Sequence, residues 1–309
     1  MATSCPLCEQ TESLLVDEID GNLLGRAYRR RLGVELAGTA PKIIRLLECR
    51  HCSLRYYDPA PAGGEELYEQ LGVVPWYYLR EKEEYRIAAR YIGEGDSVLE
   101  IGAGEGAFAT LIDSRDYLGL ELNAAAAQRA RERGIDVRKG SVEDHARDGS
   151  RRHDRICFFQ VLEHIPDLRS FLSACVACLE PGGLLILSVP NEDSFLGVEA
   201  NNVLNMPPHH VTRWKETALE KLGELYGLEV VQIWRERLSD GHIKSYARCI
   251  GQAAVRRWFG RRWRLLDPMF ENILGRSLAY LLSKPTESSL AAATALRPIG
   301  HTIVAVYRR

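Results

Sequence analysis

From Asp96 onward, short apolar runs alternate with stretches of helical spacing, the pattern of a parallel sheet flanked by helices. Ser97 to Ile101 (SVLEI) predicts a first strand, a glycine turn from Gly102 to Gly106 follows, and Ala107 to Ile112 predicts a helical stretch. Strands two to five fall at Asp116 to Glu121, Asp136 to Lys139, Arg155 to Phe159 and Leu184 to Val189. Leu228 to Ile233 is the sixth and His301 to Tyr307 the seventh. Between strands four and five, Phe171, Leu172, Cys175, Cys178 and Leu179 recur at helical spacing. That stretch therefore reads as a core helix carrying small cysteines, not as a metal-binding pair. Upstream, a helix around Leu23 to Leu32 precedes a strand from Lys42 to Glu48.

The chain divides on this pattern into an N-terminal module (1–60), a helical lid or linker (61–95), a core (96–237), a helical insertion (238–298) and a returning last strand (299–309). Its 309 residues suit one large domain with a smaller one, and 46% hydrophobic with 27% charged residues is an ordinary soluble composition. The net charge of -2 gives no whole-molecule attraction for nucleic acid or an anionic membrane, although local basic clusters remain. The first residues lack a basic segment followed by an apolar one, and no long uncharged apolar run occurs. The expected compartment is the cytoplasm, where eight cysteines would stay reduced.

Four of those cysteines form two CxxC pairs, Cys5 with Cys8 and Cys49 with Cys52. Each pair puts two thiolates on a tight turn, and two such turns close a tetrahedral site around zinc. The zinc expected there is structural, because four thiolates leave no open position. Buried thiols without metal are the alternative, and His51 is a bystander inside the second turn.

In the core, Gly102, Gly104 and Gly106 allow close approach of the backbone to a ligand, but the spacing is GxGxG, not the dinucleotide GxGxxG. Glu121 ends strand two with two acceptor oxygens suited to a ribose diol; a solvated surface glutamate is the alternative. Together VLEIGAGEG, Glu121, FFQVLEHIPD and LEPGGLLILSVPN resemble the class I S-adenosylmethionine (SAM) dependent methyltransferases, over about Tyr85 to Ile233 plus the last strand. The resemblance implies an α/β Rossmann-like seven-stranded sheet with its last strand antiparallel, here with a small N-terminal zinc-ribbon module and a helical insertion. It implies that Glu100, Gly102, Gly104 and Gly106 surround the methionine part of SAM, and that Glu121 holds the ribose. Leu122 would then pack on the adenine, Val142 and Glu143 beside its edge, and Gln160 near the sulfonium. Ser141 stands where many relatives have an aspartate, so the adenine amino contact passes to Glu143 or Asp144. The zinc ribbon narrows the resemblance to bacterial surface-polysaccharide and natural-product sugar methyltransferases, ahead of rRNA guanine methyltransferases.

Three histidines are candidates for catalysis or acceptor contact. His164 follows strand four, and His209 and His210 follow Pro207-Pro208 on a stiff loop with Arg213 and Trp214 close behind, a candidate acceptor wall. Satisfied structural imidazoles are the alternative. The resemblance implies a helical lid there, from which Tyr78 or Tyr85 would donate to the SAM carboxylate; ordinary packing of aromatic residues is the alternative. The stretch from Ala254 to Leu266 is basic and aromatic, which suits a cap or dimer element first and membrane contact second. The expected enzyme methylates a small-molecule or saccharide acceptor. The cluster Arg26, Arg29, Arg30 and Arg31 supports RNA as the competing acceptor, and the overall charge opposes it.

Overall fold

The computed structural model describes residues 3–36, 41–72, 82–149 and 151–309. It contains two sheets. The smaller is built from β1 (Ser13–Asp20), β2 (Ile43–Cys49) and β3 (Arg55–Asp58), with α1 (Gly21–Leu32) between the first two strands. Asp20 caps α1 by accepting from the Leu23 N–H at 2.8 Å, and Gly33 ends it at φ 70°, a left-handed stop that suits glycine. A short helix, α2 (Glu65–Gly72), follows.

The second sheet begins after α3 (Glu83–Ala89) with β4 (Ser97–Ile101), whose five residues are all buried. It continues with β5 (Asp116–Glu121), β6 (Val137–Lys139), β7 (His153–Phe159) and β8 (Leu179–Pro190). The two-residue β9 (Thr212–Arg213) leaves this sheet and joins the smaller one, giving it the order β1-β2-β3-β9. With β10 (Glu229–Arg237) and β11 (Ile299–Arg308) the large sheet has the order β10-β11-β8-β7-β4-β5-β6. Strands β4 to β8 are parallel to their neighbours, and β11 runs antiparallel between β8 and β10, as the resemblance implies. Ligands of such open sheets sit where the order reverses, beyond the carboxyl ends of the strands.

Helices α4 (Ala124–Glu132), α5 (Val142–Arg147), α6 (Leu168–Ala177) and α7 (Glu216–Tyr226) cover the sheet. Cys175 lies buried in α6 and Cys178 caps it, so this CxxC belongs to the core. One expectation is shortened. The stretch from Ala107 to Ile112 is a single 3₁₀ turn, Phe108–Leu111, because Gly106 at φ 77° and extended Ile112 bound it closely.

The insertion is a helix pair, α8 (Ile243–Trp258) and α9 (Ile273–Ala292). They cross tightly at Gly251, where a Cβ would lie 2.1 Å from the Ala279 carbonyl oxygen. The basic and aromatic stretch divides, with Arg257, Trp258, Phe259, Arg261 and Arg262 exposed and other members turned inward. Arg256 is buried over the Phe270 ring, Trp263 donates to the Val198 carbonyl, and Leu265 and Leu266 join Tyr28 and Tyr57 in the core of the N-terminal module. No described helix is long and apolar enough to cross a membrane.

Candidate active site

The candidate cofactor side is assembled at the carboxyl ends of β4, β5 and β7. Gly102, Gly104 and Gly106 all adopt positive φ, 72°, 54° and 77°. A Cβ at Gly102 would meet Val161 Cγ2 at 2.6 Å, and one at Gly106 would meet Ile135 at 2.8 Å. Both conformation and space therefore demand glycine. Across this turn, one Glu121 oxygen accepts the Gly104 N–H at 2.8 Å and the other accepts the Asn123 N–H at 2.8 Å. Two backbone donors hold the carboxylate in one orientation.

Glu100 is buried under the same turn and bonded by the Tyr117 hydroxyl. Burial pushes its carboxyl up to about 8, so it is protonated at neutral pH. Gln160, directly after β7, stands at φ 57°, a left-handed conformation that costs a residue with a Cβ roughly 1–2 kcal/mol. Its N–H donates to the Ser188 carbonyl at 2.9 Å, and its Nε2 lies 3.4 Å from Ser188 Oγ and 3.5 Å from buried Glu84. Strain of this kind concentrates at functional sites.

The candidate acceptor side centres on the three histidines. His164, His209 and His210 come together with ring centroids 4.6–4.9 Å apart. His164 Nδ1 lies 2.6 Å from the His209 carbonyl, His209 Nδ1 lies 2.8 Å from the Leu204 carbonyl, and His210 Nδ1 lies 3.1 Å from Asn205 Oδ1. Burial lowers all three imidazoles below the usual histidine range, His164 to about 4, which keeps them neutral. Glu163, 1% exposed, places Oε1 3.9 Å from Nε2 of both His164 and His210. Burial pushes this carboxyl up to about 8.

The N-terminal module holds the histidine loop. Tyr28 donates to the carbonyls of Val203 and Met206, and Tyr57 to that of Asn205 at 2.9 Å. β3 pairs with β9, and Arg55 and Arg213 share the buried carboxylate of Glu192. Arg213 is thus spent on an internal ion pair, and Trp214 is fully buried with its Nε1 donating to Thr212. Neither is an acceptor wall; both anchor the loop from behind.

Cys5, Cys8, Cys49 and Cys52 converge with all four sulfurs within 4.8 Å of one another. The pairs Cys5–Cys52 and Cys8–Cys49 are 3.5 Å apart. That is too long for a disulfide and close to the ~3.8 Å tetrahedral edge that Zn–S bonds of about 2.3 Å require. The two knuckles repeat one geometry. Cys5 N–H reaches Gln10 as Cys49 N–H reaches Leu54, and Glu9 and Ser53 both stand at φ 61°. The donor set and its symmetry fit zinc.

Of the other expected residues, Tyr78 lies outside the described residues. Tyr85 is buried against Phe108 and Phe159. Leu122 sits on the surface beside Glu121, 65% exposed. Val142 is buried at the start of α5, with Glu143 half-buried beside it. Ser141 caps α5 by accepting the Asp144 N–H at 3.1 Å, while Asp144 accepts from Ser141 and Arg147. Sequence reasoning misses Glu163, Tyr57 and Asn205; only Glu163, next to His164, stands inside a motif that draws attention.

The profile of a methyltransferase domain matches residues 77–233. A Mycolicibacterium smegmatis protein described as a "probable S-adenosylmethionine-dependent methyltransferase" is 35% identical over 176 residues, 55% of this chain and 66% of its own. A ubiquinone biosynthesis O-methyltransferase of Marinobacter nauticus is 31% identical over 136 residues, 40% of this chain and 57% of its own. The chain thus spans between half and two thirds of these relatives' length. The crystal structure of a SAM-dependent methyltransferase from Archaeoglobus fulgidus shares the fold, with a TM-score of 0.51 at 17% identity over 78% of this chain and 100% of that one.

Proposed function

The chain belongs to the methyltransferase-domain family, and on that premise we propose that it transfers the methyl group of SAM to a small or sugar-like acceptor: a nucleotide sugar, a glycan intermediate or a related metabolite. One observation carries the cofactor half: the Glu121 carboxylate fixed by Gly104 and Asn123 at the carboxyl ends of parallel strands. When bound, SAM supplies an electrophilic methyl group together with its own leaving group. The protein's part is then alignment, exclusion of water and, for a hydroxyl acceptor, removal of a proton.

The residues divide that work. Glu121 accepts from a diol through the lone pairs its backbone donors leave unused, Glu100 lies beneath the glycine turn, and Gln160 closes the side toward the acceptor. The histidine cluster forms the acceptor wall and contacts the group that gains the methyl. The O-methyltransferase names of several relatives support an oxygen acceptor. We assign a structural zinc ion to the four cysteines and the cytoplasm as the compartment.

Against RNA as acceptor stands the fate of the basic cluster on α1. Arg29 pairs with Glu35, and Arg30 and Arg31 both pair with Glu271, so two carboxylates offset half of its four charges. Calorimetry with S-adenosylhomocysteine and with NAD tests the proposal. Tight binding of the first and none of the second is expected; NAD binding alone would sink it.

A further inference from the structure

We propose that His164, His209 and His210, together with the Glu163 carboxylate, form a second metal site, for a divalent cation of the zinc class. It is separate from the four cysteines and lies on the acceptor side. One ring nitrogen from each histidine lies within 4.8 Å of the others. The tautomers follow from the hydrogen bonds. A carbonyl only accepts, so Nδ1 of His164 and of His209 carries the proton, and in the neutral ring Nε2 is then the nitrogen that can ligate; the Gln160 carbonyl also faces the His164 ring. His210 is held the same way by the Asn205 amide oxygen. Histidines that bind metals are commonly oriented in this manner, by donating their other nitrogen to an oxygen.

Glu163 is the independent observation. Its side chain is 1% exposed, and among the described residues neither oxygen has a hydrogen-bond partner. A buried carboxyl without donors is costly in an apolar interior unless a cation or proton compensates it. Its Oε1 faces Nε2 of His164 and of His210, both at 3.9 Å. Among the described residues, buried Arg213 is already neutralised by Glu192, and Lys82 acts on Glu163 through its charge alone, without a hydrogen bond to either oxygen. A general base needs one imidazole with one orienting partner; three converging imidazoles and a carboxylate exceed that need.

Three imidazoles and a carboxylate select the borderline ions that imidazole favours. Bonds of about 2.1 Å place tetrahedral ligand atoms roughly 3.4 Å apart, so occupancy requires a contraction of about 0.5–1.5 Å from the observed separations. An acceptor oxygen that joined such an ion would enter as a fifth ligand; it would lose its proton to water more readily, and then take the methyl group as the carbon–sulfur bond breaks with its electron pair on sulfur. That role rests on the proposed methyl transfer; the binding of the ion does not.

Cobalt(II) is the probe. The full-length protein, with zinc in its cysteine site, is titrated with cobalt(II) without SAM, and S-adenosylhomocysteine affinity is measured on the same samples. The expected result is saturable uptake of about one further equivalent, without the intense sulfur-to-metal absorption of a thiolate site. Glu163→Gln should weaken it about tenfold or more, and His210→Ala should abolish it, each with zinc content retained. Absence of cobalt beyond the thiolate site, or unchanged uptake in both variants, overturns the proposal. Should His210→Ala lose its zinc, Glu163→Gln and the unaltered protein still decide between these outcomes. Bound S-adenosylhomocysteine without cobalt uptake removes the metal site and spares the methyltransferase; cobalt uptake without S-adenosylhomocysteine does the reverse.

Discussion

The two halves of the site are built on different length scales. Around the glycine turn of the candidate cofactor side the bonds are local: Gly104 to Glu121 and Tyr117 to Glu100 each span 17 positions, and Asn123 to Glu121 spans two. On the acceptor side, Tyr28 reaches Val203 across 175 positions, Tyr57 reaches Asn205 across 148, and Arg55 reaches Glu192 across 137. A strand, a glycine turn and the next strand suffice for the first half. The second borrows its rigidity from the N-terminal module, which lays β3 against β9 directly behind the histidines. The cysteine cluster is therefore more than a decoration on a catalytic domain, because β2 and β3 leave its second knuckle and one of them is the loop's neighbour.

The severest way to break the comparison is to remove the proposed zinc. Cys49→Ser with Cys52→Ser should release zinc, since a structural site contributes on the order of 10 kcal/mol to the fold it closes. With β3 loosened, methyl transfer should fall by about 100-fold or more. Affinity for S-adenosylhomocysteine should change by less than about threefold, because no cofactor-side bond described above crosses to the module. Intact metal content afterwards would refute the four-cysteine assignment. An equal loss in both readouts would mean that the halves are one unit.

Glu121→Ala is the complementary cut. It should weaken SAM binding by at least about tenfold, roughly 1.4 kcal/mol, with zinc content unaltered. Unchanged affinity by calorimetry would remove Glu121 from the site.

Legibility from sequence follows the same division. The seven strands, the glycine turn, Glu121 and the cysteine pairs are all readable, because periodicity and spacing encode contacts between near neighbours. What escapes depends on distant partners. A two-residue strand such as β9 has no periodicity, and it exists only because β3 lies beside it. Arg213 and Trp214 resemble pocket residues from their company with the histidines. Their burial is decided by Glu192, Tyr57 and Thr212, which only the fold brings near. Glu163 is visible as a letter, but its burial and its two histidine neighbours are not.

A smaller effect separates the halves by pH. Glu100 is held up to about 8 by burial, with Glu121 raising it further and Tyr117 and Lys82 opposing; Tyr85 and Cys157 are the remaining titratable neighbours. In the ligand-free protein it is neutral at pH 7. Its contribution to stability is complete below about 4.5, the unfolded value, and is lost as pH rises through 8. A cationic ligand pulls the carboxyl back toward ionisation, so binding releases a proton. Affinity for SAM should rise about fivefold between pH 7 and pH 8, and Glu100→Gln should flatten that rise. Calorimetry in buffers of differing ionisation enthalpy reads the proton directly; no proton release at pH 7 would exclude Glu100 from contact with the cofactor.

The gentlest test acts on the long-range half alone. Tyr57→Phe keeps the buried ring and deletes one hydroxyl, which donates to the Asn205 carbonyl at 2.9 Å and lies 3.5 Å from Arg213. A single such bond is worth about 0.5–1.5 kcal/mol, so the melting temperature should drop by only a few degrees. Asn205 also orients His210 through its amide, so the loosened carbonyl should disturb that imidazole first. The expected signature is a several-fold rise in acceptor KM or fall in kcat, with S-adenosylhomocysteine affinity and zinc content unmoved. A drop in cofactor affinity equal to the loss in turnover would show that the hydroxyl serves the whole domain. A change confined to acceptor kinetics places the N-terminal module within the machinery that positions the acceptor.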